Sequence, residues 1–293
     1  MTSTAHPRAR VGTSGWHKEP WRGHFYPREL PAGERLRYVS ARLAMVEVNT
    51  TFHGLKTPAD FRRWRDVVPE DFAFSVKGNG EITHARRLRN AARPLAEFLA
   101  SGVLLLGEQL GPLLWQVPPT LGFHGETVEA FLALLPHSVD EARRLVAREG
   151  LEVDAELRGI PDRALRHCFE ARNASFRHPL FVELLRAHDV AAVLTNTPEW
   201  PAIDAVTSDF AYARLHGGAT HFPDGYDDAT LDAWAEWARV RLEGDDGRDV
   251  FVAFDNPDHG GTRSPFDAME LQRRIGGPVP ASGASQQVPL WGL

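Results

Sequence analysis

Short apolar runs alternate along the chain with segments whose apolar residues recur at helical spacing. Each run has the length of a strand and ends in or beside a polar residue. Strands that alternate with helices are typical of a parallel sheet, and eight such units are typical of a closed barrel. The pattern therefore predicts a single (β/α)8 TIM-type barrel. Its strands are expected at Val11–Ser14, Met45–Asn49, Phe72–Lys77, Leu113–Val117, Cys168–Arg172, Ala191–Asn196, Phe210–His216 and Val250–Asn256.

One interval of the pattern is too long for a single helix. Between strands 4 and 5, a stripe from Val128 to Leu135 is followed by the charged helical segment 140–149 and a polar stretch up to residue 166. We therefore expect a helical insertion between strands 4 and 5. The barrel domain is expected over residues 10–276, followed by a loose tail over 277–293 that is rich in Gly, Pro and Ser.

Polar residues two positions apart mark the inner face of four strands. Successive side chains of a strand point to opposite faces, so residues at i and i+2 share a face. The sets are Met45, Glu47 and Asn49; Ser75 and Lys77; Cys168, Glu170 and Arg172; and Tyr212, Arg214 and His216.

The carboxyl ends of barrel strands converge on one mouth, where active sites of this fold are built. We expect Glu47 or Glu170 to act as general base or acid, Lys77 and Arg214 to stabilise developing negative charge, and His216 to shuttle a proton. An ion pair between Glu47 and Lys77 is expected as well, since they lie on neighbouring strands. Substrate contacts are expected from Trp16, Asn49, Gln116, Arg172, Asn196, Gly217, Asp255, Asn256, Gly260, Gly261 and Thr262.

Charge at the mouth favours an anionic ligand. Two inner carboxylates face Lys77, Arg172, Arg214 and His216. Lysine is rare here, since only Lys18, Lys56 and Lys77 occur among 33 basic residues. A lysine on an inner face therefore suggests chemistry that arginine cannot perform, such as loss of a proton, although chance retention is an equal alternative.

Two glycine pairs follow strands 7 and 8. They are Gly217-Gly218 and Gly260-Gly261, the second with Thr262 just before helix eight. Loops at these positions often bind phosphate in barrel enzymes. Plain tight turns are the alternative interpretation.

The bulk composition narrows the class of protein. The net charge of −6 argues against an extended nucleic-acid ligand. Cys168 is the only cysteine, so no internal disulfide or thiolate metal cluster is expected, and Cys168 itself is expected to be buried. With no apolar run long enough to span a membrane and no signal-like start, a cytoplasmic protein is expected. The sequence identifies no cofactor and does not settle the oligomeric state.

A series of short motifs follows in order along roughly residues 11–275. The motifs are Val11-Gly-Thr-Ser-Gly-Trp16, Val46-Glu-Val-Asn-Thr-Thr-Phe52, Phe74-Ser-Val-Lys77, Ile82-Thr-His84, Leu110-Gly-Pro-Leu-Leu-Trp-Gln116, Phe169-Glu-Ala-Arg172, Arg214-Leu-His-Gly217 and Phe254-Asp-Asn256. Together they resemble the YecE-like family, the domain of unknown function numbered 72. The resemblance implies a TIM-type barrel and lends no established reaction.

The leading hypothesis is an enzyme that uses acid/base chemistry on a phosphorylated or carboxylated small molecule. A divalent-metal phosphodiesterase or nuclease is a second hypothesis, in which Glu47, Glu170, His216 and Asp255 bind the metal ion. The chain has no His-Glu-x-x-His motif. Glycoside hydrolysis by Glu47 and Glu170 is a third. A non-catalytic sensor that binds the same anion is the fourth.

Overall fold

Eight parallel strands close into a barrel in the computed structural model, which describes residues 8–153, 155–217, 224–244, 247–255 and 262–276. Each strand pairs with the next one along the chain, and the first pairs with the eighth. The predicted barrel is confirmed. The strands are β1 (Ala9–Ser14), β2 (Met45–Val48), β3 (Ala73–Lys77), β4 (Leu110–Gln116), β5 (His167–Glu170), β6 (Val190–Thr195), β7 (Phe210–Leu215) and β8 (Asp249–Phe254).

Helices cover the outside of the barrel in the described part of the chain. Shorter helical turns lie among the α-helices. They are 3-10 segments at Glu19–Trp21, Ala32–Glu34, Val103–Gln109 and Ala174–Arg177 and a π-helix at Glu81–Ala85. The α-helices are α1 (Arg35–Ser40), α2 (Thr50–His53), α3 (Pro58–Asp66), α4 (Ala92–Ala100), α5 (Gly125–Leu132), α6 (Val139–Arg148), α7 (Ala155–Gly159), α8 (Pro179–Ala187), α9 (Asp228–Glu243) and α10 (Ser264–Ile275).

The interval between β4 and β5 begins with α5, and the insertion that follows α5 is helical, as expected, and consists of α6 and α7. Local capping explains where several helices begin. Thr57 and Asp60 form a reciprocal capping box at the start of α3, and the Ser138 hydroxyl accepts from the Glu141 N–H at the start of α6. Gly102 adopts a left-handed conformation (φ +117°) between α4 and the 3-10 segment Val103–Gln109, so the α-helix ends before it.

The barrel interior has an apolar lower layer and a polar upper layer. Cys168 is fully buried in the lower layer, as expected from the sequence. The polar layer above it contains Glu47, Glu170 and Arg214, which are also fully buried. The lower layer consists of Met45, Ala73, Leu114, Cys168, Ala191, Val193, Phe210, Tyr212, Phe251 and Ala253.

Some predicted features lie outside the described residues. These are Gly218, Asn256, Gly260, Gly261 and the tail over 277–293. Among the helices that are described, none is long and apolar enough to cross a membrane.

Candidate functional site at the carboxyl end of the barrel

A single arginine joins three carboxylates under the barrel mouth. The Arg214 guanidinium donates from Nε and Nη2 to the two oxygens of Glu47, at 2.9 and 2.6 Å. It also donates from Nη2 to Asp255 at 2.6 Å and from Nη1 to Glu170. The side chains of Arg214, Glu47 and Glu170 have no exposed surface, and that of Asp255 is 15% exposed. We call these four residues the floor of the mouth.

Hydroxyl groups from other strands complete the bonding of Glu47. The Tyr212 hydroxyl lies 2.9 Å from one Glu47 oxygen and 2.9 Å from the Ser75 hydroxyl. The Ser14 hydroxyl donates to the other oxygen at 3.1 Å, and the Asn49 amide donates to Ser14. Each of these side chains belongs to the inner face of a strand or follows it directly, so the two-residue period of the strands brings them together.

The mutual attraction of the floor groups outweighs their loss of hydration. Burial alone would lower the pKa of Arg214, but Asp255, Glu170 and Glu47 raise it well above its ordinary value. Burial alone would raise the pKa of Glu170, but Arg214 and Arg172 bring it down to about 2. The pKa of Asp255 is lowered against the effect of burial by Arg214 and His216. At neutral pH Arg214, Glu170 and Asp255 are therefore charged, hydrogen-bonded groups.

The expected ion pair between Glu47 and Lys77 is wrong. Glu47 binds Arg214 from β7 instead, and in the described residues no carboxylate lies within 4 Å of the Lys77 ammonium. The Lys77 nitrogen lies 4.4 Å from the centre of the Phe52 ring. Burial and the nearby Arg214 lower the pKa of Lys77 to about 8, although Glu170 and Glu47 oppose the shift.

His216 lies between two carboxylates at the edge of the floor. Its Nε2 is 3.7 Å from Glu170 and its Nδ1 is 3.5 Å from Asp255. Burial nevertheless lowers its pKa to about 4, so the imidazole is neutral at pH 7. The Asn196 side-chain oxygen accepts from the His216 backbone N–H at 2.8 Å. This bond fixes the end of β7 relative to the end of β6.

Arg172 is the half-buried arginine of the mouth. Its Nε donates to Glu170 at 2.6 Å, and its guanidinium lies 3.7 Å from the centre of the Trp200 ring. Trp200, on the connection between β6 and β7, also makes an edge contact with His216 at 4.6 Å. Trp200 could not be selected from the sequence, because it lies in a connection without a strand or helix pattern.

His84 also belongs to the mouth, although it lies outside the predicted strands and is not among the predicted site residues. It lies on the π-helix Glu81–Ala85 with its Nε2 3.5 Å from the Gln116 amide and its ring 4.7 Å from Phe52. Burial, Lys77 and Arg172 lower its pKa to about 4. Single π-turns occur often at functional sites, but sequence periodicity does not reveal them.

Other predicted contact residues lie apart from the floor. Trp16 is buried in the outer core, 5.4 Å from the Trp64 ring, so its side chain stacks on protein. Gln116 donates to the Val117 carbonyl at 2.8 Å beside His84. Gly217 lies at φ +59° directly after His216, and Thr262 lies just before α10.

Three of the four predicted metal ligands, all except His216, are hydrogen-bonded to Arg214. Glu47, Glu170 and Asp255 all bind its guanidinium. Over the described part of the chain, no group of three or more His, Cys, Asp or Glu side chains is arranged to hold a metal ion.

A model of a known protein family matches most of this chain. The family model described as "Protein of unknown function DUF72" matches residues 10–288. The chain belongs to the DUF72 family. The family assignment made from the sequence motifs is thus confirmed.

Sequence relatives include the UPF0759 protein YecE of Escherichia coli. The K12 and O157:H7 forms are each 35% identical to this chain over 77 residues, which is 26% of this chain. The aligned segment spans 28% of the length of each relative.

Solved DUF72 structures have the same fold. A DUF72 family protein from Thermotoga maritima superposes with a TM-score of 0.71 at 23% identity, covering 92% of this chain and 99% of the other. A DUF72 family protein from Enterococcus faecalis gives a TM-score of 0.65 at 19% identity, covering 92% and 98%. At these identities the likeness shows the fold alone.

Proposed function

We propose that the barrel mouth binds a phosphorylated or carboxylated small molecule and carries out acid/base chemistry on it, with Lys77 as the group that exchanges a proton. The observation that carries this proposal is the environment of Lys77. Its amine has no carboxylate partner in the described residues, lies against Phe52, and has a pKa lowered to about 8. A group with a pKa near the working pH is suited to give and accept protons.

The floor supports Lys77 electrostatically and does not react. Glu47, Glu170 and Arg214 are fully buried and bonded to one another. A carboxylate with a pKa of about 2, as in Glu170, is a weak base. We therefore assign these residues a positioning role, in place of the acid/base roles that the sequence suggested for the two glutamates.

Two further groups are available to a ligand. Arg172 is partly exposed beside Trp200 and can attract an anionic group, since its Nε–H donates to Glu170 and its other N–H groups make no hydrogen bond within the described residues. The Nε2 of His216 has no hydrogen-bond partner in the described residues, and the ring is neutral at pH 7. With a pKa of about 4 the imidazole is a weak base, so we assign His216 a hydrogen-bonding role toward a bound molecule in place of the proton shuttle expected from the sequence.

A metal-dependent phosphodiesterase gains no support from this geometry. A metal ion would have to displace the Arg214 guanidinium from three carboxylates. Such a step leaves a buried arginine without partners and costs several kcal/mol, roughly 3 to 5.

The test begins with ligand binding. Wild-type protein and the variants Lys77→Met and Lys56→Met are screened by thermal shift against small phosphorylated and carboxylated compounds. A specific ligand at 100 times its Kd adds about 2.7 kcal/mol to the free energy of unfolding. Lys56→Met is the matched control, because Lys56 lies on the loop before α3, outside the floor and its contacts.

Compounds that bind are then followed by NMR for chemical change between pH 6 and 10. We expect turnover to increase as the pH rises through about 8, where the Lys77 amine loses its proton, and to be lost in Lys77→Met. Binding without turnover, as in an anion sensor, would count against the proposal. Equal turnover in Lys77→Met would reject the role of Lys77.

A further inference from the structure

A groove separate from the floor lies at the same end of the barrel. It has a volume of about 490 Å³ and is formed by the loop after β3 and the loop after β4. Both loops follow the carboxyl ends of their strands, so the groove opens on the face that carries the mouth.

Three exposed arginines form the rim of this groove, Arg86, Arg87 and Arg89, and we call it the arginine groove. Among the described residues that line it, none is acidic. Arg86 pairs with Glu81 at 2.9 Å, outside the lining. Arg87 donates to the neutral Thr120 carbonyl at 2.7 Å. In the described residues the Arg89 side chain makes no hydrogen bond or ion pair. The positive charges of Arg87 and Arg89 therefore have no carboxylate partner there.

The floor of the arginine groove is apolar. It includes Leu88, Leu121 and the partly exposed ring of Phe123. Leu88 is buried, and its N–H donates to the Ile82 carbonyl at 3.0 Å. A cationic rim over an apolar floor is complementary to a molecule that carries both a phosphate and an apolar or aromatic body.

The backbone holds this arrangement at a conformational cost. Arg87, Leu88 and Asn90 have φ values of 52°, 69° and 49°. Left-handed backbone at side-chain-bearing residues costs about 1 to 3 kcal/mol each, and such residues cluster at ligand sites. Here the strained turn places Leu88 inward while the neighbouring arginines remain exposed.

We propose that the arginine groove is a binding site for an organic phosphate, with the phosphate against Arg87 and Arg89 and the apolar body on Leu121 and Phe123. The site uses residues other than Lys77 and the floor. It therefore stands or falls independently of the function proposed for the mouth.

The experiment measures binding of phenyl phosphate, inorganic phosphate and phenol by isothermal titration calorimetry. The proteins are wild type, the double variant Arg87→Gln with Arg89→Gln, Arg144→Gln and Lys77→Met. Arg144 is the matched control, because it is an exposed arginine on α6 with a long contact of 3.9 Å to Glu141. A circular dichroism melt checks that each variant is folded.

We expect phenyl phosphate to bind at least 10-fold more tightly than inorganic phosphate or phenol. The double variant should weaken it at least 10-fold, while Arg144→Gln and Lys77→Met change it less than 2-fold. No binding by wild type, equal affinity for inorganic phosphate, or an unchanged double variant would overturn the inference. Loss of binding in Lys77→Met alone would place the ligand in the mouth, which rejects this inference and supports the proposed function.

Discussion

Both ends of the barrel carry arginines bonded to carboxylates, but the two networks differ in burial. At the carboxyl end, Arg214 binds Glu47 and Glu170 with no exposed side-chain surface on any of the three. At the amino end, Arg166 binds Asp249 at 2.6 Å and Asp209 at 3.0 Å, with side chains that are 21 to 62% exposed. The same chemistry is therefore desolvated at one end and hydrated at the other.

This difference determines what each network contributes. A hydrated ion pair adds about 0 to 1 kcal/mol and tolerates loss of a partner. A buried one is costly to break, because its remaining charge has no water. Loss of a charged partner should therefore cost much more free energy of unfolding at the carboxyl end, beside Lys77, than at the amino end.

The largest effect is expected from Arg214→Met. The variant leaves Glu47 and Glu170 buried with no guanidinium, so it should lose about 3 to 5 kcal/mol of unfolding free energy or fail to accumulate as folded protein. Urea unfolding followed by circular dichroism measures the loss.

Arg166→Met is the control at the amino end. It removes an arginine that has two carboxylate partners, where Arg214 has three, and it does so in hydrated surroundings, so the expected loss is about 1 kcal/mol. Equal losses in the two variants would show that burial does not separate the two ends.

Acid should act mainly on the carboxyl end. The folded pKa of Glu170, about 2, lies below its unfolded value near 4.5, so its stabilising effect is complete above pH 4.5 and is lost as the pH falls towards 2. Urea midpoints measured from pH 6 to 2.5 should fall in wild type and fall less steeply in Glu170→Gln. For Asp249→Asn the slope should stay close to that of wild type, because partial exposure weakens the effect of Arg166. If the urea midpoint of Glu170→Gln fell with pH as steeply as that of wild type, the pairing of Glu170 with Arg214 would be contradicted.

Lys77→Met should raise stability at pH 7. A folded pKa of about 8 against 10.5 means that folding disfavours the charged amine below pH 8, and this cost disappears as the pH rises to 10.5. The gain over wild type should therefore shrink between pH 8 and 10.5, as measured by thermal melts. Lys56→Met should show no such pH-dependent gain. A Lys77→Met variant that is less stable than wild type at pH 7 would argue for an unseen partner.

The smallest effect is expected from Asp189→Gly. Asp189 follows α8 in the left-handed region (φ +47°), where glycine is favoured. The variant should gain about 0.5 to 1 kcal/mol of unfolding free energy. Phenyl phosphate binding should not change, because this turn lies at the amino end. A loss of stability would mean that the aspartate side chain has a role of its own.

The sequence was sufficient to predict the polar layer but not its bonds. The period of two placed Glu47, Glu170 and Arg214 on the inner face, because a strand allows no other alternation. From the sequence, ion pairs are expected between neighbouring strands, and this predicts a pair of Glu47 with Lys77. In the closed barrel the long Arg214 side chain instead reaches Glu47 across the interior, from β7 to β2. Its five donors satisfy three carboxylates, which one ammonium cannot do.

Loop residues were the least predictable part of the site. His84 depends on a π-turn, and Arg87 and Leu88 depend on left-handed backbone that L-residues seldom adopt. Neither feature has a periodic signature. Conversely, Trp16 is expected from the sequence to contact a substrate, and it is instead packed on Trp64 in the core.

Within the described residues, Lys77 is an amine without a carboxylate partner beside the charged floor. The chain has three lysines, so protein labelled with ¹³C at the lysine Cε gives three resonances that can be titrated by NMR and assigned with Lys77→Met and Lys56→Met. We expect the Lys77 resonance to titrate near pH 8, because burial and Arg214 lower the pKa of its amine. Titration of Lys77 near 10.5, the ordinary value, would contradict this environment and the role proposed for Lys77.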